Sequence, residues 1–464
     1  MNITWHRSLT EDKKKLIFGN ETEDSLTKAY DKKRTVHAGG KSTPLTPEDA
    51  GREWMKASMQ PVSGEKLVYV NVPFCQTRCS YCGFFKNFAK PDMMEAFTNG
   101  IVREIEDCAR LPHFSTGNIN AVYIGGGTPG ALDSEQIGRM LGAVRNSLPL
   151  ANDCEFTFET RTFQLTDEKV DVCLNAGVNR FSIGVQSFDT RIRRAIGRVD
   201  DGETVMKNIE RLKRINEAAV SIDLMFGLPY QSESDYIEDI LTAHSLEVDG
   251  MALYQLNVFE DGRMNSQIKD EKLPKPASTA QQALFFLKAH QVMQNLGYLQ
   301  PSMAHWVRDT RDRSLYNRMS KKGTLMHAFG AGAGGRTHSH GYFTHMALEP
   351  YLGMVNAGRK PIMGMSLQAD RHRLHSLITY QIDCGFLRLN DLDAEAGFSL
   401  SEVFEPLFES WRKRRMITLA DRTLKLTPSG QFWYVNMAQS LIDVLEIAYD
   451  SEYSPAAGRV AGQN

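Results

Sequence analysis

From Leu67 onward the chain alternates short β-branched runs with amphipathic stretches. The runs are Leu67–Val72, Ala121–Gly125, Glu155–Thr160, Arg180–Val185, Val220–Gly227 and Met251–Val258. Short apolar runs of this kind predict buried strands. Between them the apolar positions recur at helical spacing. In Ser134–Leu148, for example, Ile137, Leu141, Val144 and Leu148 share one face, and Asp133 or Ser134 is placed to cap the helix. Thr204–Ile215 and Ser234–Leu246 follow the same pattern. Strands alternating with helices predict βα units and an α/β fold with a parallel sheet. Six such units suit a partial (β/α)6 barrel, and a doubly wound open sheet fits the same periodicity.

Outside that stretch the rhythm changes. Residues 1–60 are polar and charged, broken by Pro44 and Pro47, and read as a partly helical N-terminal extension. Residues 61–300 hold the βα units. A helix over about Thr279–Gln294 leads into a Gly- and His-rich stretch, and residues 301–385 read as a segment covering the active site. In residues 386–464 a helix over Phe404–Met416 precedes alternating leucines around Asp421-Arg-Thr, which predict a β-hairpin, and a last helix runs through Leu441. Helix followed by hairpin predicts a mostly helical, winged-helix-like domain. Its basic run Arg412–Arg415 reads as a solvated face.

Composition narrows the function classes. A net charge of −2 over 464 residues gives no electrostatic case for nucleic acid or an anionic membrane. No apolar run approaches the length of a membrane span, and the first residues lack the apolar core of a secretory signal, so the expectation is cytoplasmic. Seven cysteines, three of them clustered, suit a reducing compartment.

Those three, Cys75, Cys79 and Cys82, carry the strongest chemical signal. Their C-x3-C-x2-C spacing lets one short loop offer thiolates to three irons of a [4Fe–4S] cluster and leaves one iron open to a small ligand. A structural zinc site normally takes four ligands in paired knuckles. Gly125-Gly-Gly-Thr-Pro129 closes the second strand, where glycines let a ligand approach backbone closely. Five histidines (His305, His327, His338, His340 and His345) fall in one stretch. Imidazole is a common metal ligand, although Thr-His-Ser-His-Gly also reads as an exposed turn.

The cysteine loop, with Tyr81 just before its last cysteine, resembles the signature of the radical S-adenosylmethionine (SAM) enzymes. The resemblance selects the partial barrel over the doubly wound sheet. It implies that the open iron binds the amino and carboxylate groups of SAM, and that reduction cleaves SAM to methionine and a 5′-deoxyadenosyl radical. It also places further residues around SAM. Gly126, Gly127 and Thr128 would touch its methionyl end, and Gln186 in Gly-Val-Gln would lie near the ribose. Arg198 would face the carboxylate. Glu159 would suit an ammonium or ribose hydroxyls, and Asp223 and Tyr69 complete the set.

Within that family the pattern is similar to the oxygen-independent coproporphyrinogen III oxidases and their heme-chaperone cousins, which share Tyr-x-His-Ile-Pro-Phe-Cys; this chain has Asn71-Val72 in place of His-Ile. Phe84 stands where the oxidases carry an extra cysteine, and Tyr316 where the chaperones carry a histidine. The loop, the Phe-Glu-Thr-Arg-Thr segment and the His-rich segment together resemble a third branch, the anaerobic heme-degrading methyltransferases known as anaerobilin synthases. That resemblance implies a heme substrate, two SAM molecules and carbon transfer to the porphyrin with ring opening to a linear tetrapyrrole and iron release. It also implies an external low-potential electron donor such as flavodoxin. Imidazole is a common axial ligand of heme iron, and His338 and His340 are the foremost candidates for it. The alternatives are a coproporphyrinogen oxidase-like decarboxylase and a non-catalytic heme-trafficking protein.

Overall fold

The computed structural model describes residues 4–34, 38–84 and 86–453. All six expected strands form: β1 (Glu65–Val72), β2 (Asn118–Gly126), β3 (Leu150–Thr160), β4 (Arg180–Gln186), β5 (Ala219–Phe226) and β6 (Gly250–Gln255). They pair in chain order and all in parallel. The crossovers carry helices α1 (Pro91–Ala109), α2 (Ser134–Ser147), α3 (Asp167–Asn175), α4 (Gly202–Ile215) and α5 (Glu233–Ser245). Side-chain caps start the shorter ones: Asp133 and Gln136 form a reciprocal capping box on α2, and Asp201 caps α4.

Strand periodicity sorts the side chains. In β1, Val68, Val70 and Val72 point one way and are fully buried. Leu67, Tyr69 and Asn71 point the other way, into the barrel. There Leu67 and Ala121 pack on Met319 of α6 (Leu315–Lys321). The first two amides of α6 donate to Glu155 at 2.8 and 3.0 Å, which places a carboxylate at the positive helix end. This short helix lies inside the strands, at their N-terminal end.

The six strands form the centre of a mixed, thirteen-stranded sheet. On the far edge of β1 lies β7 (Leu325–Phe329), also parallel, followed by antiparallel β8 (Gly334–Arg336), β9 (His340–Thr344) and β10 (Ile362–Leu367). On the β6 side, His305–Val307 and Leu299–Ser302 add antiparallel strands. The Gly- and His-rich segment read as an active-site cover therefore adds strands to both sides of this sheet, with helices between them.

Chain contacts define two compact units. One takes Ser42–Ser278 and Lys288–Gln368, and holds the whole sheet described above. The other takes the chain up to Lys41, Thr279–Leu287 and the chain from Ala369. In that second unit, helix Ser401–Lys413 precedes the hairpin Ile417–Ala420 and Thr423–Leu426, with Phe386–Arg388 as third strand, which is the expected winged-helix-like pattern. The N-terminal extension packs on it: Trp5 Nε1 donates to Val403 O at 2.8 Å, and Trp433 Nε1 to Leu26 O at 2.9 Å. Its basic run is not all solvated. Arg414 is buried and donates to Asn20 O at 3.0 Å, while Arg412 and Lys413 pair with Glu405 and Glu409.

Candidate active site

The cysteine loop leaves β1 at its C-terminal end and is pinned on several sides. Phe74–Cys75 pairs with Asn87–Phe88, Ser80 N donates to Ile196 O at 3.1 Å, and Met264 N donates to Ser80 O at 2.9 Å. Cys75 and Cys79 are buried and Cys82 is partly exposed. Arg161, one residue beyond β3, reaches the loop: its Nη2 lies 3.2 Å from Cys79 Sγ and its Nη1 donates to Thr77 Oγ1 at 2.7 Å. Cys75 Sγ lies 3.5 Å from Thr128 Oγ1, and Phe84 N donates to Cys82 Sγ at 3.3 Å. Burial pushes the Cys75 thiol up, and the charges of Cys82 and Cys79 push the same way, so the three sulfurs sense one another; Thr128 and Arg161 oppose the shift.

The next strand ends supply a backbone cradle. A Cβ on Gly125 would stand 2.6 Å from Glu159 Oε2, and one on Gly127 would stand 2.5 Å from Phe74 O. Gly126 holds φ at +113°, a conformation that side chains resist. At the end of β4 the register shifts between Gly184 and Gln186, and Gln186 adopts φ of +74°. A non-glycine residue held there is strained, which marks a position fixed by its surroundings. Arg198 is buried; one nitrogen donates to Tyr81 Oη at 2.7 Å, while its Nε has no hydrogen-bond partner among the described residues.

Below this ring lie carboxyls and tyrosines. Burial pushes Glu159 up to about 8, and repulsion from Asp223 adds to it, against hydrogen bonds from Tyr123 and Gly126. Burial likewise raises Asp223 to about 6, opposed by Arg180, His305 and Arg198. Tyr69, Tyr123 and Tyr316 group with ring centroids 4.8–6.3 Å apart, and Tyr69 Oη donates to Asn71 Oδ1 at 3.1 Å. Deeper still, Asp312 binds Arg180 at 2.8 Å and His305 at 2.9 Å.

Tyr69, the three cysteines, Gly126, Gly127, Thr128, Glu159, Gln186, Arg198 and Asp223 thus sit on strands or loops that open at one end of the barrel. The histidines do not follow them. His338 and His340 occupy the turn from β8 to β9, beside Arg336, which pairs with Met326 near the start of β7. This is the N-terminal end of β1 and β7, opposite the cysteine loop. There they line a 190 Å³ cavity with Glu53, Lys56, Gln60 and His113. His327 is buried with its ring 4.3 Å from Phe114, and His305 belongs to the Asp312 ion pair. His345 alone of the five lies toward the cysteine end: its carbonyl accepts from Gly332 N at 2.9 Å, next to Ala331, whose carbonyl accepts from Asn71.

The sequence assigns no role to Arg161, Thr77, Asn71 or Tyr123, although Arg161 lies in the Phe-Glu-Thr-Arg-Thr segment and Asn71 in the motif that leads to the cysteines. Their convergence in space singles them out. The alternation of β1, which sets Tyr69 and Asn71 on the face of Leu67, is a further signal.

The model of the Radical SAM superfamily matches residues 69–243. Anaerobilin synthase of Escherichia coli O157:H7 is 35% identical over 406 residues, covering 87% of this chain and 90% of that protein. The chain belongs to the radical SAM superfamily. The heme chaperone HemW of Bacillus subtilis is 32% identical over 43% of this chain and 55% of its own length. An oxygen-independent coproporphyrinogen III oxidase of Paracoccus denitrificans is 26% identical over 84% of this chain and 88% of its own. The solved structure of coproporphyrinogen III oxidase (HemN) from Escherichia coli shares the fold, with a TM-score of 0.74 at 18% identity over 88% of this chain and 96% of that one.

Radical SAM proteins carry a [4Fe–4S] cluster and SAM, and the residues present fit both. Three thiols on one short loop, with Arg161 beside them, are a donor set that suits a cluster, which takes each thiolate on a different iron. The glycine cradle and the unpartnered Nε of Arg198 fit a polar ligand held against backbone. Among the described residues no helix is long and apolar enough to cross a membrane.

Proposed function

We propose that this chain is a radical SAM C-methyltransferase that degrades heme without oxygen, opening the macrocycle to a linear tetrapyrrole and releasing iron. The observation that carries the reading is the near full-length similarity to an anaerobilin synthase, against the half-chain alignment with a heme chaperone. Phe84, with no cysteine two residues beyond the third ligand, and Tyr316, in place of a chaperone histidine, support it.

In this reading Cys75, Cys79 and Cys82 hold the cluster. When SAM is bound there and an external low-potential donor of the flavodoxin type delivers an electron, the pair supplies radical chemistry. Arg161 donates to the Cys79 sulfur and to Thr77, and so braces the loop. Gly126, Gly127 and Thr128 offer backbone to the methionyl end, and Arg198 offers its free Nε to the carboxylate. Glu159 and Asp223 give a partly protonated, negative floor suited to a cation, and Tyr69 and Gln186 close the sides. The carbon transferred to a meso position would come from a second SAM. The protein's share is placement in a dry cavity, so that the methyl group and the meso carbon meet at contact distance. His338 and His340 lie at the far end, so heme at the cysteine end draws on other side chains.

The similarity to coproporphyrinogen oxidases over most of the chain favours a second reading, a decarboxylase acting on a porphyrinogen. Anaerobic incubation of the reconstituted protein with heme, SAM and a strong reductant separates the two. Loss of the heme absorbance band, with 5′-deoxyadenosine and a mass gain on a linear tetrapyrrole, is the expected result. Heme that persists while coproporphyrinogen loses carbon dioxide would overturn the proposal in favour of the second reading.

A further inference from the structure

Beyond β7 the sheet continues with one face toward the barrel interior. Met326 of β7 receives the Tyr316 hydroxyl at 3.6 Å and pairs with Arg336, so Arg336 stands on the interior side. The registers set Arg336 beside Gly341 and Ser366, and Gly334 beside Phe343 and Gly364. Tyr342, of opposite parity, faces the other way, with its ring centroid 5.1 Å from that of Trp54.

Two side chains dominate this face. Arg336 is partly buried, its Nη1 donates to Ser320 O at 3.3 Å, and no carboxylate among the described residues pairs with it. Burial lowers its pKa, and only the nearby Tyr316 works against that. Enclosed guanidinium groups ordinarily find a carboxylate, and the planar fork suits one from a ligand. Phe343 lies over Gly364, where a Cβ would stand 2.6 Å from the ring, yet the residue remains 40% exposed. Around them the surface is bare: a Cβ on Gly334 would meet nothing within 4 Å, and one on Gly341 only Ser366 Oγ at 3.7 Å. Glycines inside strands weaken a sheet, and they recur where a ligand must approach backbone. Three strands make a platform about 10 Å wide.

We propose that this face of β8, β9 and β10 receives the flat ring of a tetrapyrrole, with Phe343 stacked on its plane and Arg336 pairing with one of its carboxylates. The inference rests on the reading of a tetrapyrrole substrate given above and names the side chains that recognise it.

The test is an anaerobic absorbance titration of the full chain with hemin and with hemin dimethyl ester, which keeps the ring and masks both carboxylates. Arg336→Ala is expected to weaken hemin by about tenfold or more, the loss of one charge-assisted pair, and the ester by less than about twofold. Arg336→Lys should recover part of the hemin affinity. Phe343→Ala should weaken both ligands alike. Hemin affinity unchanged in Arg336→Ala would overturn the assignment, and so would equal losses for hemin and ester, since Arg336 would then only shape the site. A wild-type chain that binds neither ligand would instead defeat the proposed function, and this face with it.

Discussion

Arg161 Nη2 stands 3.2 Å from Cys79 Sγ while its other amino group holds Thr77 Oγ1, so a residue at the end of β3 fixes the middle of a loop that follows β1. A cation at that distance offsets the negative charge that three thiolates bring to the loop. Arg161→Leu removes both that charge and the tie to Thr77, and is expected to loosen the loop's hold on iron. The reconstituted variant should hold less iron and sulfide per chain and lose them faster to a chelator, with Arg161→Lys intermediate. Iron retention equal to wild type would show that Arg161 only braces the loop.

Gly127 is wedged against backbone. A Cβ there would stand 2.5 Å from Phe74 O and 3.0 Å from Phe74 N, and neither atom can swing aside as a side chain can. Thr128 N also donates to Phe74 O at 2.7 Å, so relief of the clash moves the residue just before Cys75. Gly127→Ala should destabilise the protein by about 1–3 kcal/mol, the usual cost of overpacking. It should also lower cluster content beyond what the lost stability explains. Denaturant unfolding of the apoprotein and iron analysis after reconstitution read the two effects separately.

The barrel strands were legible because parallel strands covered on both faces read as short apolar runs rich in β-branched residues, and β1, β2, β4 and β5 are built on Val and Ile in this way. The cysteine loop was legible because chelation by a short loop demands close spacing. The histidines were not, for a geometrical reason. His340 and His345 are neighbours in sequence, but five residues of extended chain at about 3.3 Å each separate them by about 17 Å, enough to cross from one end of the sheet to the other. Sequence proximity in a hairpin says little about which end a side chain serves. The antiparallel strands that extend the sheet past β7 were missed for a related reason: glycines at 330, 332, 334 and 335 hide the β pattern.

Asp312 explains why His305 is no ligand candidate. The Asp312 carboxylate is buried between Arg180 and His305; burial would raise its pKa, but these two partners hold it well below the ordinary range. A carboxyl with a depressed pKa stabilises the fold above its unfolded value and loses that contribution only as strong acid protonates it. Asp312→Asn would leave the buried Arg180 without its counter-charge. The expected cost is about 3–5 kcal/mol, read as a shift of the denaturant midpoint near neutral pH. A shift below about 1 kcal/mol would mean that water or Glu155 replaces the lost partner.

Glu159 carries the opposite sign. Burial, then repulsion from Asp223, lifts its carboxyl from the ordinary 4.5 to about 8, so the folded chain keeps a proton that the unfolded chain releases. The folded state binds more protons across that window, and stability therefore falls as pH rises from about 4.5 to about 8 and levels off above it. Asp223, raised only to about 6, has finished titrating by about pH 7, which leaves the upper part of the window to Glu159. Between about pH 6.5 and 8 the apoprotein should lose about 1–2 kcal/mol through this one group, and Glu159→Gln should remove that slope. SAM brings positive charge to the same floor and favours the carboxylate, so SAM affinity should rise with pH over the same range in wild type and stay flat in Glu159→Gln. Thermal unfolding of the apoprotein and equilibrium binding of SAM, each compared between the two proteins across that range, give independent readings. Parallel slopes in both would assign the titration to another group and remove Glu159 from the SAM floor.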